Sequence, residues 1–296
     1  MTPPHRAISE DAGVHAERVL ILTHGAAEVT AGVMPTLLSI LDSEGVEVMA
    51  TDEEAAKHPA LSERTIIAPT DLRPGGTDLV LVLGGDGSIL RALSREATTG
   101  APVLGVNYGR VGFLATIEQA ALEQGVRRAI GGGYVTLGLP SLRAEWSEGT
   151  LQAVNDLAFL RGGDSRLADL SYSVSGEPVA TVRCDGLICS TPVGSTAYNL
   201  AAGGPTVSWR VKGFVISFIA AHHLDTRPLV LAADESLTVT NSAIVGDCDV
   251  LADGVRIAAL PPGRSITVGL GGEEVHLAIF PESSFFRRYR EKFGRP

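Results

Sequence analysis

Asp78 to Leu83 reads Asp-Leu-Val-Leu-Val-Leu and runs without a break into Gly84-Gly85-Asp86-Gly87. A short apolar run bounded by turn residues reads as a buried strand. Beyond the glycines, Ile89, Leu90 and Leu93 recur at helical spacing. The rest of the first third repeats this alternation. Arg18 to His24 suits a strand, and Val29, Val33, Leu37, Ile40 and Leu41 mark a helix that ends by Gly45. Pro35 lies inside that pattern, where it would kink or split the helix. Val46 to Ala50 and Pro102 to Asn107 read as further strands, and Pro69 to Thr77, with Pro74, Gly75 and Gly76, reads as a loop. Strands separated by helices imply a parallel sheet covered on both faces.

The texture changes near Gly131. Short β-rich segments follow, separated by turn signals at Ser147-Glu-Gly-Thr150, Ser175-Gly-Glu-Pro178, Ala252-Asp-Gly254 and Pro261-Pro-Gly263. Strands are expected at 179–182, 187–190, 214–219, 229–231, 236–240, 266–268 and 275–280. This predicts an α/β domain over residues 1–130 and a mostly antiparallel, β-rich domain over 131–283. A helix over 284–296, charged and aromatic at helical spacing, is expected to pack back on the first domain.

A chain of 296 residues with 45% hydrophobic and 20% charged residues can build one large core or two smaller ones. No apolar run approaches the ~18 residues of a membrane span, and Val211 to Ala221, interrupted by Lys212 and Gly213, suits a buried strand. Met1 to Glu17 lacks the apolar centre of an export signal and reads as a frayed tail. Three cysteines, Cys184, Cys189 and Cys248, show no metal-ligand spacing, which points to reduced core thiols and a cytoplasmic protein. A net charge of −10 argues against a nucleic-acid partner. It also means that a polyanionic substrate must be held by local donors.

Glycines between a buried strand and a helix let a phosphate or sugar approach the backbone, next to unpaired N–H groups at the helix start. The Gly-Lys-Ser/Thr of a Walker loop and the GxGxxG of a dinucleotide fold are both missing. Asp86 would repel a simple anion there. The carboxylate fits a group that takes a proton from a hydroxyl or holds a divalent cation; its other reading is a cap for the following helix. A second constellation spans Asp185 to Tyr198 and Ala202 to Pro205. In it the strand 187–190 enters a Pro192–Gly194 turn, and Ser195 and Thr196 stand where a helix would begin. Hydroxyls and N–H groups at such a point can hold phosphate, ribose or adenine, or can simply cap a helix. Asn155-Asp156, entering the apolar run 157–160, is either a strand-end turn or a polar pair awaiting a ligand.

Together these motifs resemble the NAD kinase family. Gly84-Gly-Asp-Gly-Ser88 resembles its first glycine signature, and Gly105-Val-Asn-Tyr-Gly-Arg-Val-Gly-Phe-Leu114 its second. Asn155-Asp156 and the Asp185–Pro205 block are similar to its remaining motifs, and the last is the most specific. The resemblance implies two domains with the substrate in the cleft between them. It further implies NAD as acceptor, ATP or polyphosphate as donor, a divalent cation such as Mg²⁺, and a homo-oligomer, dimer or tetramer. It assigns proton acceptance to Asp86. It assigns NAD contacts to Asp86, Gly87, Asn155, Asp156, Arg166, Arg183, Asp185, Thr196, Ala197, Tyr198, Asn199, Leu200 and Ala201. Arg91 and His222 are further candidates. The chain departs from the family at Val193, usually Thr, at Tyr108, usually aliphatic, at Val255, where Gln or Arg is common, and at Leu139 to Leu142, which lacks a frequent Arg. A lipid kinase sharing the GGDG loop and a non-catalytic dinucleotide sensor are the alternative expectations.

Overall fold

A computed structural model of the chain describes residues 10–66, 75–96, 99–109, 112–146, 149–163, 166–222, 225–272 and 274–294. Two compact units emerge, one built from Ile8–Leu139 with Glu274–Pro296, the other from Pro140–Glu273. Among the described residues no helix is long and apolar enough to cross a membrane. Most of the loop expected over 69–77 lies outside the described residues.

Among the described residues the first unit holds a nine-stranded sheet. Its order is Glu10–Ala12, Val135–Leu139, Val275–Ile279, Val103–Asn107, Leu79–Gly84, Arg18–Thr23, Glu47–Ala50 and Thr65–Ile66, with Ile117–Glu118 beside Val103–Asn107. From Val275–Ile279 to Thr65–Ile66 all neighbours run parallel. Val19, Ile21, Leu79, Leu81, Leu83, Leu104 and Val106 share one core with Leu37 and Leu41 of the helix Met34–Ser43 and with Val126 and Ile130 of the helix Leu122–Ile130. The intervening Leu20, Val80 and Val82 are equally buried. On that opposite face the helix Asp86–Glu96 packs against Leu79–Gly84 and Val103–Asn107, with Ile89 against Gly105. A sheet covered on both sides needs uniformly apolar strands, which is why Leu79–Gly84 is buried along its whole length. Pro35 stands in the first turn of Met34–Ser43, after a separate 3₁₀ turn at Ala27–Val29. It therefore divides the periodic stretch, at a position where the missing N–H has no intrahelical partner to lose.

The structure differs from the sequence expectations at three places. Glu10–Ala12 is no frayed tail but an edge strand, antiparallel to Val135–Leu139. The first unit ends at Leu139, not near residue 130, because Val135–Leu139 belongs to its sheet. The strand expected at 275–280 also lies in this sheet, as Val275–Ile279, and not in the β-rich domain. The chain leaves for the second unit from Val135–Leu139 and returns into the adjacent Val275–Ile279. Those two strands run antiparallel, which gives the parallel sheet an antiparallel edge.

Among the described residues the second unit holds two antiparallel sheets. One has the order Gly149–Ala153, Leu142–Trp146, Ser265–Leu270, Ser236–Asn241, Ala168–Val174, Glu177–Cys184. The other has the order Leu229–Ala232, Gly213–Ile219, Gly186–Ser190, Asp156–Arg161, Cys248–Ala252, Val255–Leu260. Leu170, Leu237, Val239 and Val268 of the first sheet share a core with Leu157, Phe159, Leu187, Phe214 and Val250 of the second. Cys184, Cys189 and Cys248 are unpaired and buried in that core, and burial pushes all three thiols up, Cys184 to about 12 and Cys248 to about 11. Their thiolates are inaccessible at neutral pH, so they act as packing groups.

Candidate functional site

The Leu79–Gly84 strand ends in the first glycines, and the helix Asp86–Glu96 begins at the aspartate itself. Asp86 does not cap its own helix. Its Oδ2 accepts the Phe113 N–H at 2.7 Å and its Oδ1 accepts the Leu114 N–H at 3.0 Å. The first glycine signature is thereby tied to the end of the second one. A Cβ on residue 112 would lie 2.1 Å from Asp86 Oδ1, so only Gly112 lets the backbone come this close. Arg110 and Val111 lie outside the described residues. Across the turn, Tyr108 N–H donates to Gly84 O at 3.1 Å and Gly109 N–H donates to Asn107 Oδ1 at 3.0 Å. Asp86 stays partly accessible and Gly87 is exposed. Arg91, one turn along the helix, is exposed and reaches Ser88 Oγ at 3.3 Å.

In the second unit, Asp156 begins a strand paired with Gly186–Ser190, in register with Ser190. The carboxylate of Asp253 accepts the N–H groups of Val154 at 3.0 Å, Asn155 at 2.7 Å and Asp156 at 3.2 Å. Asp253 and Gly254, with φ of 48° and 80°, form the hairpin turn that joins Cys248–Ala252 to Val255–Leu260. Both central residues of such a turn sit in the left-handed region, which favours Asp-Gly. Burial and the neighbouring Asp253 charge push the Asp156 carboxyl up to about 7.

Asn155 O accepts the Thr191 N–H at 2.9 Å. Thr191 Oγ1 donates to Val154 O at 2.7 Å and accepts the Gly194 N–H at 3.0 Å. Gly194 lies so close to this strand end that a Cβ would fall 2.0 Å from Asn155 O. Ser195 Oγ donates to Pro192 O at 2.6 Å and accepts the Val207 N–H at 2.9 Å. Thr196 Oγ1 donates to Val193 O at 3.2 Å, and the Asn199 amide donates to Ser195 O and Pro205 O at 3.0 Å each. The hydroxyls that the sequence offers as ligand contacts are thus largely committed to their own turn. They hold its shape. At Val193 the side chain is buried, 3% exposed, and gives the turn an apolar wall. The Tyr198 ring is 39% exposed, and among the described residues Asn155 Oδ1 and Asn199 Oδ1 are buried with no hydrogen-bond partner. A buried orphan acceptor of that kind calls for an outside donor. Leu200 and Ala201 continue the short helix Tyr198–Ala201, and Ala197 precedes it.

The remaining candidates gather elsewhere. Arg183 forms a two-pronged ion pair with Asp169, at 2.8 and 3.1 Å, beside a cavity of about 440 Å³ lined by Asp169, Thr181, Arg183 and His222. Asp185 pairs with Arg161 at 3.3 Å, and Arg166 is exposed. Asp185 precedes the first residue of Gly186–Ser190, whereas Asn155 lies at the opposite end of that pair of strands. At about 3.3 Å per residue, the six positions from Asp185 to Thr191, which Asn155 faces, put the two groups of candidates about 20 Å apart within this unit.

Asp253 is a structural partner that sequence reading noted only as part of a turn. The Asp-Gly pair signals the hairpin, but nothing in the sequence says which backbone the carboxylate would reach. Among the described residues no group of three or more His, Cys, Asp or Glu side chains is placed to hold a metal ion.

Residues 20–134 match the ATP-NAD kinase N-terminal domain, and residues 154–279 match the ATP-NAD kinase C-terminal domain. NAD kinase 2 of Streptomyces coelicolor is 34% identical, over 94% of this chain and 94% of its own. The NAD kinase of Symbiobacterium thermophilum is 34% identical, over 87% of this chain and 92% of its own. The fold is similar to that of yeast NADH kinase complexed with NADH, at a TM-score of 0.83 and 23% identity, covering 95% of this chain and 87% of that one. It is also similar to an Archaeoglobus fulgidus NAD kinase in complex with ATP, at a TM-score of 0.71 and 24% identity, covering 94% of this chain and 97% of that one. Matches to both halves, and relatives more than 30% identical along nearly the whole length, make this chain a member of the NAD kinase family.

Proposed function

We propose that the chain transfers a phosphoryl group from ATP or polyphosphate to the adenosine-ribose 2′-hydroxyl of NAD, giving NADP, with Asp86 as proton acceptor. The observation that carries this reading is the way Asp86 is held. Each carboxylate oxygen accepts one backbone N–H, from Phe113 or Leu114. Each oxygen therefore keeps a second lone pair for a hydroxyl hydrogen. As the ribose oxygen bonds to the terminal phosphorus of the donor, the bond to the leaving phosphate oxygen breaks and the hydroxyl proton passes to Asp86. Positioned proton transfer of this kind contributes roughly 10²–10⁴-fold. Within the second unit, Asn155 Oδ1 and the exposed Tyr198 ring are groups that a nucleoside can engage; within the first, nothing crowds Gly87 beside Asp86.

A divalent cation, Mg²⁺ by our reading, neutralises donor-phosphate charge when bound. A cation carried in by phosphates needs few protein ligands, which fits a chain without a carboxylate cage among its described residues. We further propose a homo-oligomer, dimer or tetramer, in the cytoplasm. The exposed apolar side chains of Ile244, Val245, Val255 and Ile257 support self-association, and light scattering on the eluting protein tests it. The decisive experiment for the activity is incubation with NAD, Mg²⁺ and either ATP or polyphosphate. NADP is then assayed with an NADP-specific dehydrogenase, and absence of NADP with both donors overturns the reading.

A further inference from the structure

The helix Phe285–Phe293 carries Arg288, a cation only 5% exposed. A charge in an interior is costly unless donors and countercharge meet it. Here its Nη1 donates to Phe113 O at 2.6 Å and also to Ala115 O, while Nη2 donates to Thr116 Oγ1 at 3.3 Å. One guanidinium thus grips the Phe113 carbonyl, on the peptide that carries the Leu114 N–H, and the Ala115 carbonyl, on the peptide that carries the Thr116 N–H. The Leu114 N–H is one of the two that hold the Asp86 carboxylate, and the other, from Phe113, lies one peptide before it. The same helix encloses the Phe113 side chain. Phe285 and Phe293 stand 6.0 and 5.8 Å from its ring centroid, and Lys292 Nζ lies 4.8 Å from that centroid. Burial lowers the Arg288 guanidinium to about 10, and the charge of Asp86 is the foremost effect opposing that.

We propose that Arg288 is a positioning residue for phosphoryl transfer: it fixes the Phe113–Ala115 backbone, and through the two N–H groups on it sets the orientation of the Asp86 carboxylate. This rests on the reading of Asp86 as proton acceptor. Without Arg288 the carbonyls of Phe113 and Ala115 lose a shared donor and the segment relaxes. A displacement of about 1 Å at a reacting group can lower turnover by about 10²-fold. The nucleoside-holding groups of the second unit, Asn155 and Tyr198, make none of these contacts, so binding of NAD is expected to be spared.

The test is a double-mutant cycle in the full-length enzyme. Arg288→Met keeps an apolar stem of similar length and removes the fork. It is expected to lower kcat by about 10- to 100-fold while KM for NAD stays within about twofold, because the loss falls on the transition state alone. Arg288→Lys keeps a charge and can reach one carbonyl but not both in the fork geometry, so it should fall between Met and wild type. In the Asp86→Asn background, Arg288→Met should change the residual kcat by less than about twofold, since residues acting through one another are not additive. Equal fractional losses in both backgrounds overturn the proposal, as does a KM rise that accounts for the whole effect. Near-wild-type turnover in Asp86→Asn alone sinks the reading of Asp86 itself, a separate outcome. Calorimetric NAD binding and a thermal melt on each variant show whether it is folded. Should the Met variant not fold, the Lys variant carries the same cycle.

Discussion

Asp86 has both of its oxygens engaged by backbone donors, and this shapes what substitution will do there. Asparagine keeps the outline but turns one acceptor oxygen into a donor, which must face the N–H of Phe113 or of Leu114. Asp86→Asn is therefore expected to lower turnover by at least ~10²-fold and also to destabilise the first unit by about 1–3 kcal/mol, the range for leaving a buried donor without a partner. NAD titration should still give binding, and retained turnover would remove Asp86 from the mechanism. Asp156 presents a different electrostatic problem. Its carboxyl, pushed to about 7 by burial and by Asp253, keeps its proton in the folded chain after the unfolded chain, at 3.8, has released it. The native state binds more protons throughout that interval, so stability falls as pH rises from about 4 to about 7, by up to ~1.4 kcal/mol per unit. Urea midpoints measured across the interval should decline in the wild type and stay flatter in Asp156→Asn. Equal slopes would show that Asp156 is ionised in the folded chain over the whole range.

At the level of elements, the Asp253-Gly254 hairpin works as a clamp on the strand that begins at Asp156. Removing its carboxylate leaves the N–H groups of Val154, Asn155 and Asp156 without their shared acceptor. Asp253→Ala should cost about 2–4 kcal/mol of unfolding free energy, since bonds to a charged acceptor are worth about 1.5–3 kcal/mol each and water recovers part of the loss. It should also weaken NAD binding, because Asn155 is no longer fixed; unchanged affinity by calorimetry would detach the hairpin from the site. The hairpin itself is written in the sequence, as Asp-Gly between apolar runs, and so are the buried strand 79–84 and the turn at 192–194. All three rest on local chemistry, that of turn residues and of apolar runs of strand length. What the carboxylates of Asp86 and Asp253 bind was not legible, because their partners lie 27 and 28 positions away for Asp86 and 97 to 99 away for Asp253. A still longer separation, 172 to 175 positions, hides the partners of Arg288, whose helical spacing marks a surface helix and says nothing of a buried guanidinium. The hydroxyls of Ser195 and Thr196 were visible as polar groups at a helix start. Only the structure separates a hydroxyl that closes its own turn from one left for a ligand.

For the molecule as a whole, two separate cores and the lack of a carboxylate cage among the described residues lead to an expectation about metal removal. Excess chelator should abolish turnover with either donor and leave the thermal melt within about 1 °C, because an ion that contributes little to folding shifts stability little when it leaves. A melt lowered by many degrees would reveal a structural metal. The sheet order carries a last consequence, for biosynthesis. Val275–Ile279 lies inside the first sheet, between Val135–Leu139 and Val103–Asn107, although the ribosome makes it after the entire β-rich unit. A nascent chain can complete the second unit while the first still has an open seam. The helix that grips the Asp86 loop emerges later still. Translation arrested between residues 114 and 275 would thus release a polypeptide carrying both glycine signatures but lacking an inner strand of its first sheet, so the order of manufacture itself withholds activity from unfinished products.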